Sequence, residues 1–201
     1  MSVVYDPFTV QDEPVPTGGG QGLLGPTIPP IQPLKIFSAN VRGINDDERR
    51  GHFLRFIKTF QPLLLFLQET KLKENSTKLS WNWKGSCFLN SKESASAGVA
   101  SLSYSPLTIN LLYGEEGRLI ITSILYHDYN ILFVNLYALN DERNRKDFFS
   151  RVHQLIAQFI LPNQILIIVG DFNCTLSEQD NIHRKPPNAL SGSINKRLRF
   201  S

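Results

Sequence analysis

The sequence predicts an α/β fold. Apolar residues come in short runs, the longest being five residues at 63–67 and 165–169, and each run halts at a polar residue. Two other stretches repeat their apolar residues at helical spacing. Between two further runs, at 127–130, lies a reversal that reads as a hairpin turn, so the sheet is not purely parallel.

The elements follow in order from residue 34. Residues 34–39 form a short apolar run that stops at Asn40 and reads as a strand. Asn45 or Asp46 can cap a helix in which Phe53, Phe56, Ile57 and Phe60 fall at i, i+3, i+4 and i+7. Pro62 closes that helix, and 63–68 is a second strand of the buried type, ending at Glu69. A polar loop at 71–84 leads to short runs near 85–89, 98–104 and 108–112. Residues 118–126 and 130–137 make the hairpin. Asp141 caps a second helix, with Phe148, Val152, Leu155, Ile156 and Phe159 on one face, and 164–170 is a last apolar strand that ends at Asp171.

The flanks differ from this body. Residues 1–33 hold seven of the twelve prolines and five of the thirteen glycines, which cannot sustain a helix or a ladder and reads as a disordered arm. The glycines at 18–22 follow no strand and precede no helix, so they read as linker rather than phosphate cradle. Residues 34–201 form the domain, and its polar end, 177–201, reads as poorly ordered.

Composition narrows the class. With 41% apolar, 19% charged and 10% aromatic residues the chain is globular. Cys87 and Cys174 stand far apart, which indicates neither a disulfide framework nor a zinc site and suits a reducing, intracellular setting. No apolar run approaches the ~18 residues that span a bilayer, and the N-terminus lacks the pattern of a secretory signal. The arm carries Asp6, Asp12 and Glu13 with no Lys or Arg, so the body from 34 to 201 holds all 21 basic side chains against 15 acidic ones, +6. That balance is compatible with a polyanionic partner without requiring one.

The chemistry gathers at the strand ends. Successive strands deliver Asn40, Glu69, Tyr137 with Asn140 beyond it, and Asp171 with Asn173. In layered α/β folds, sites assemble where loops leave the carboxyl ends of strands. Carboxylates, amides and a phenol collected there make an oxygen-rich pocket suited to Mg²⁺. Taken singly, Asn and Asp also begin turns wherever strands stop. Glu69 resists that simpler explanation, because Glu is a poor turn former.

Five motifs occur in order: Asn40-Val41-Arg42-Gly43-Ile44, Gln68-Glu69-Thr70, Gly117-Arg118-Leu119-Ile120, Asn135-Leu136-Tyr137-Ala138-Leu139-Asn140 and Gly170-Asp171-Phe172-Asn173. Together, from the strand that starts at Leu34 as far as Asn173, they resemble the endonuclease/exonuclease/phosphatase superfamily, and most closely the apurinic-like endonuclease domain of LINE-type retrotransposons. The resemblance implies a four-layered α/β sandwich of two packed mixed sheets flanked by helices, incomplete at the C-terminus. It implies Glu69 as a direct Mg²⁺ ligand (Mn²⁺ as a substitute), helped by Asn40. Asp171 would orient or deprotonate the attacking water, and Asn173 would hold the scissile phosphate. Tyr137 would stabilise charge developing on that phosphate, with Asn140 supporting its loop. Arg118 reads as structural.

Three departures from the family pattern stand out. Arg42 replaces an acid that many repair enzymes place two residues after the first Asn, a retrotransposon-like variant. Leu139 replaces a Pro. No Ser-Asp-His motif occurs, and His52, His127, His153 and His183 lie in contexts unlike it. A histidine of that kind contributes proton handling and charge stabilisation worth roughly 10²–10⁴-fold in rate.

Three functions follow as expectations: a Mg²⁺-dependent DNA endonuclease of retrotransposon origin; a catalytically dead, truncated fragment that binds nucleic acid weakly or is inert; and a phosphoesterase of the same fold acting on a lipid or inositol phosphate. The Asn-Val-Arg-Gly and Gln-Glu-Thr-Lys versions of the motifs favour DNA. Lys71, Lys73 and Arg42 are the candidate backbone-phosphate contacts; Arg49-Arg50, Arg143 with Arg145-Lys146, and Arg184-Lys185 are further basic clusters. Trp81 and Trp83 could stack on a base, although alternating tryptophans are more often one buried and one partly exposed. A monomer acting on DNA, nuclear or otherwise intracellular, with no membrane or obligate protein partner, is the resulting expectation.

Overall fold

The computed structural model describes residues 33–73, 76–80 and 83–174. The arm at 1–32, Trp81, His183, Arg184-Lys185 and the segment 177–201 lie outside the described residues.

Two four-stranded sheets pack face to face. The first has the strand order β1-β2-β4-β3, the second β5-β6-β7-β8. In the first, β1 (Ile36–Asn40) runs parallel to β2 (Leu64–Gln68), while β4 (Val99–Ser103) lies antiparallel to β2 and to β3 (Cys87–Asn90). In the second, β5 (Asn110–Glu115), β6 (Leu119–Tyr126) and β7 (Tyr129–Tyr137) form an antiparallel meander, and β8 (Ile165–Asp171) adds in parallel to β7. Each parallel pair is joined through a helix: α1 (Asp47–Lys58) links β1 to β2, and α2 (Glu142–Phe159) links β7 to β8.

Both helices begin as the sequence dictates. The Asp46 carboxylate accepts from the Arg49 amide at 2.8 Å, and that of Asp141 from the Asn144 amide at 2.9 Å, satisfying donors that the first turn leaves unpaired. The buried face of α1 differs from the one its phenylalanines outline. Leu54 and Ile57 are buried with Arg50, whereas Phe56 is 56% and Phe60 46% exposed. Phe60 lies beyond the helix end and stacks against Phe56 and Phe37, with centroids 5.0 and 5.7 Å away. Periodicity located the helix correctly, but its rotation was set by Leu54 filling the gap over Phe37, Leu65 and Leu67.

The apolar contacts resolve into layers. Leu54 and Ile57 of α1 pack on Phe37, Leu65, Leu67 and Leu102, the outer face of the first sheet. Val152 and Ile156 of α2 pack on Leu119, Ile121, Leu132, Val134 and Leu136, the outer face of the second. Between the sheets lie Leu64, Phe66, Ile124, Ile131 and Phe133, with the Phe66 and Phe133 rings 5.0 Å apart. The alternation of Leu65 and Leu67 outward with Leu64 and Phe66 inward is the two-residue period of a strand, and it yields a helix-sheet-sheet-helix sandwich. β8 is an edge strand, and Ile165, Leu166 and Ile168 remain 37–41% exposed despite its wholly apolar run. Trp83 is buried, its indole N–H donating to the Ser103 carbonyl at 2.7 Å, so it serves the core rather than a base-stacking surface.

Candidate functional site

The two parallel pairs point their carboxyl ends to one rim. Asn40 pairs with Gln68 at the end of β1/β2, and Tyr137 with Asp171 at the end of β7/β8. Backbone bonding continues past the strands. The Val41, Gly43 and Ile44 amides donate to the carbonyls of Gln68, Glu69 and Thr70, and the Ala138 amide donates to that of Asp171. Glu69 is thereby fixed beside Asn40, and Asp171 beside Tyr137.

Asn40 joins the sheets. Its Nδ2 donates to Asp171 Oδ2 at 2.6 Å, across 131 residues of sequence, while its Oδ1 accepts from the Arg42 amide at 3.0 Å. The other oxygen of Asp171 accepts from the Asn173 amide at 3.0 Å, and Asn173 Nδ2 donates to the Ala138 carbonyl at 2.6 Å. Asn173 is thus turned back onto the strand that carries Tyr137. Tyr137 is 8% exposed, and the Arg118 guanidinium lies 4.4 Å above its ring while reaching its carbonyl at 3.4 Å. Arg118 therefore holds the tyrosine by a cation–π contact.

Glu69 is poised as an anion. Partial burial opposes its ionisation, but the hydrogen bond and charge of Lys71, the carboxamide of Asn40 and the charge of Arg42 together hold its pKa below the ordinary 4.5. Lys71 Nζ sits 2.8 Å from Glu69 Oε1. Stability from this pair is present above the ordinary carboxyl value and is lost as pH falls through the lowered one. Since the Lys71 side chain is 44% exposed, the gain is screened to about 0.5 kcal/mol. Urea unfolding should show Lys71→Met less stable than the parent chain at neutral pH, with the difference shrinking as pH falls below the ordinary carboxyl value. A difference that persists at the acid end would show that Lys71 acts through packing instead.

The rim is also strained. Among the described residues nine non-glycine positions have positive φ, and Arg42 (49°), Glu69 (56°), Lys71 (54°) and Asn173 (48°) all fall in the turns leaving β1, β2 and β8. Such conformations cost roughly 1–3 kcal/mol each and collect at functional sites.

Other candidates lie apart from this cluster. Asn140 is exposed in the bend before α2, where its carbonyl accepts from Arg145 at 2.9 Å. Lys73 is exposed two residues beyond Lys71. Arg50 is buried and donates to the Ile44 carbonyl at 3.1 Å and the Asp47 carboxylate at 2.8 Å, while Arg49 is exposed and donates to the Val41 carbonyl at 3.0 Å. Both brace the loop after β1, and Arg49 still presents charge. His52 and His153 lie on the exposed faces of α1 and α2, and His127 packs on Tyr126 in the hairpin turn.

Sequence reasoning passed over one polar pair. Gln68 and Asn135, 1% and 0% exposed, bond side chain to side chain at 2.8 Å between the sheets. Both stand inside the quoted motifs, and the signal available was an amide placed where an apolar strand should bury only hydrocarbon.

A family model described as the Endonuclease/Exonuclease/phosphatase family matches residues 37–198. The chain belongs to this family. Similar solved structures include a 3′ phosphatase, NExo, from Neisseria bound to a product DNA hairpin (20% identity, 73% of this chain and 60% of that one, TM-score 0.58). An AP endonuclease from Archaeoglobus fulgidus matches at 20% identity over 73% and 60% of the two chains, TM-score 0.55. The endonuclease domain of TRAS1, a telomere-specific non-LTR retrotransposon, matches at 13% identity over 70% and 59%, TM-score 0.53. At these identities the likeness is one of fold, and it establishes the α/β sandwich of the family. The chain spans about three fifths of each of these structures. Comparison with curated protein sequences found no match. No helix among the described residues is long and apolar enough to cross a membrane.

Proposed function

We propose that this chain is a Mg²⁺-dependent endonuclease of retrotransposon type that hydrolyses DNA phosphodiesters. The observation that carries the reading is the Asn40–Asp171 hydrogen bond, which brings the ends of both sheets together beside an ionised Glu69.

The donor set fits Mg²⁺. Glu69 and Asn40 offer a hard carboxylate and a carboxamide oxygen, and Mg²⁺ commonly takes one or two carboxylates while keeping several waters. Among the described residues no group of three or more His, Cys, Asp or Glu is placed to hold a metal ion. Glu69 would be the direct ligand and Asn40 its helper, and Mn²⁺ would substitute. When bound, the ion would neutralise charge on the phosphate in the transition state.

The chain's own groups would do the rest. Asp171, fixed by Asn40 and the Asn173 amide, would place the attacking water and take its proton. Asn173 would hold the scissile phosphate and Tyr137 would sit against it and stabilise developing charge, with Arg118 fixing the ring and Asn140 in the supporting loop. Arg42, Lys71 and Lys73 flank the rim and would grip adjacent backbone phosphates in a salt-dependent, sequence-independent manner. The Asn-Val-Arg-Gly and Gln-Glu-Thr-Lys versions of the motifs support DNA over a lipid or inositol phosphate. A monomer acting in the nucleus or elsewhere inside the cell is the matching expectation.

Incubation of the purified chain with supercoiled plasmid should produce nicked circles with Mg²⁺ and none with EDTA. No nicking from a chain shown to be folded would leave nuclease as ancestry, with DNA binding as the surviving activity to measure.

A further inference from the structure

We propose that Gln68 and Asn135 are positioning residues: a buried amide lock that sets the two halves of the site against each other. The inference rests on the reading of Glu69, Asn40 and Asp171 given above.

Gln68 immediately precedes Glu69 on the first sheet. Asn135 lies two residues before Tyr137 on β7, hence on the same strand face, and its register partner Val169 lies two before Asp171. The Gln68–Asn135 bond therefore joins the sheets about one strand step below the reacting groups. Gln68 Nε2 also donates to Ser38 Oγ on β1 at 3.1 Å. Asn135 Nδ2 donates to the Ala100 carbonyl on β4 at 2.9 Å and reaches the Leu67 carbonyl at 3.3 Å and Ser101 Oγ at 3.5 Å. One carboxamide of β7 is thus tied to two strands of the facing sheet directly, and through Gln68 to a third.

Such a device answers a physical need. Most of the inter-sheet layer is hydrocarbon, including Leu64, Phe66, Ile131 and Phe133, with the short hydroxyl side chains of Ser101, Ser103 and Thr122 also buried. Apolar contact is non-directional, so it sets how closely two sheets pack without fixing how far one slides along the other. Hydrogen bonds are directional within about half an ångström. The Asn40–Asp171 bond at the rim is exposed, so water competes with it, whereas the bond between the sheets is shielded. The buried pair can therefore serve as the fixed reference.

The test replaces both amides with apolar isosteres, Gln68→Met with Asn135→Leu. Replacing both partners leaves no unpaired amide, though it also removes the donors to Ser38 Oγ, Ser101 Oγ and the Leu67 and Ala100 carbonyls, so some loss of stability accompanies it. Two readouts follow. The Asn40 side-chain NH₂ signals, observed by NMR in the metal-free chain, report whether the Asn40–Asp171 bond is still held. Mn²⁺ binding, followed by EPR, reports the metal site. We expect a lowered unfolding midpoint in a chain that still folds, Asn40 signals moved to those of a free carboxamide, and Mn²⁺ affinity reduced about 10–100-fold, as when support behind metal ligands is removed. The swapped pair, Gln68→Asn with Asn135→Gln, keeps one long and one short amide and should restore both readouts.

Unmoved Asn40 signals with Mn²⁺ affinity within about twofold of the parent would overturn the lock, since 10–100-fold is the loss expected for lost support. If the parent chain itself binds no Mn²⁺, the metal reading fails instead, and the Asn40 signals alone judge the lock. Should the isosteric pair not fold, Gln68→Met alone decides: Asn40 signals moved to those of a free carboxamide sustain the proposal, and unmoved signals overturn it.

Discussion

Glu69→Ala should abolish Mg²⁺-dependent plasmid nicking, by about 10³-fold or more, and weaken Mn²⁺ binding with it. An ion of this kind stabilises the transition state by several kcal/mol, and each step of about 1.4 kcal/mol is tenfold in rate. Glu69 is the carboxylate whose ionisation the structure secures through Lys71, Asn40 and Arg42. Asp171→Asn should separate the two roles. It keeps the side chain's shape and one acceptor oxygen but cannot take a proton, so nicking should fall roughly 10²–10⁴-fold while Mn²⁺ affinity changes far less. The pair of results tests the division of labour between the sheets, with metal on the first and water on the second. Equal loss of Mn²⁺ binding in both variants would merge the two carboxylates into one ligand set. Retained nicking in Glu69→Ala would remove Glu69 from the site altogether.

Gly170→Ala should destabilise the chain by about 3 kcal/mol or more, the sum of an unfavourable backbone conformation and a packed contact. Gly170 has φ +142°, and a Cβ there would run into the Leu136 carbonyl oxygen and lie 2.9 Å from the Leu136 carbonyl carbon and nitrogen. Gly170 and Leu136 are paired across β7/β8, so the added methyl would push apart the strands that carry Asp171 and Tyr137. Gly51→Ala provides the opposite case. Gly51 lies inside α1, and an added Cβ would meet only the Arg55 Nη1, at 3.5 Å. There, alanine should stabilise by up to about 1 kcal/mol through helix propensity. Urea unfolding of both variants measures the contrast, and a Gly170→Ala loss under about 1 kcal/mol would mean that β8 shifts freely against β7, contrary to the packing argument.

Much of this chain was readable from the order of its residues. Local physics is strongly written here: apolar runs of five, Asp46 and Asp141 as caps, and a turn at 127–128 each depend on neighbours a few residues away. Strand ends were legible for the same reason, so Asn40, Glu69, Tyr137, Asp171 and Asn173 could be named as candidates before any contact was known. Periodicity misjudged α1, because Phe53, Phe56 and Phe60 outline an apolar stripe equally well whether or not a sheet has room for them. Space over Phe37 and Leu65 kept Ile57 of that stripe, with Phe53 packed at its side, added Leu54, and left Phe56 outside.

What the sequence by itself determined was which residues stand at the carboxyl end of each strand, since a strand's start and stop are set within its own few residues. Tertiary structure alone decided which of those ends meet. Asn40 bonds Asp171 across 131 residues, Gln68 bonds Asn135 across 67, and Arg50, legible only as half of a basic pair, turns inward to hold the loop after β1. Two apolar sheet faces can pack in several relative positions at similar cost, because hydrophobic contact carries no direction. The side-chain bonds that choose among those positions exist only once both sheets are in place.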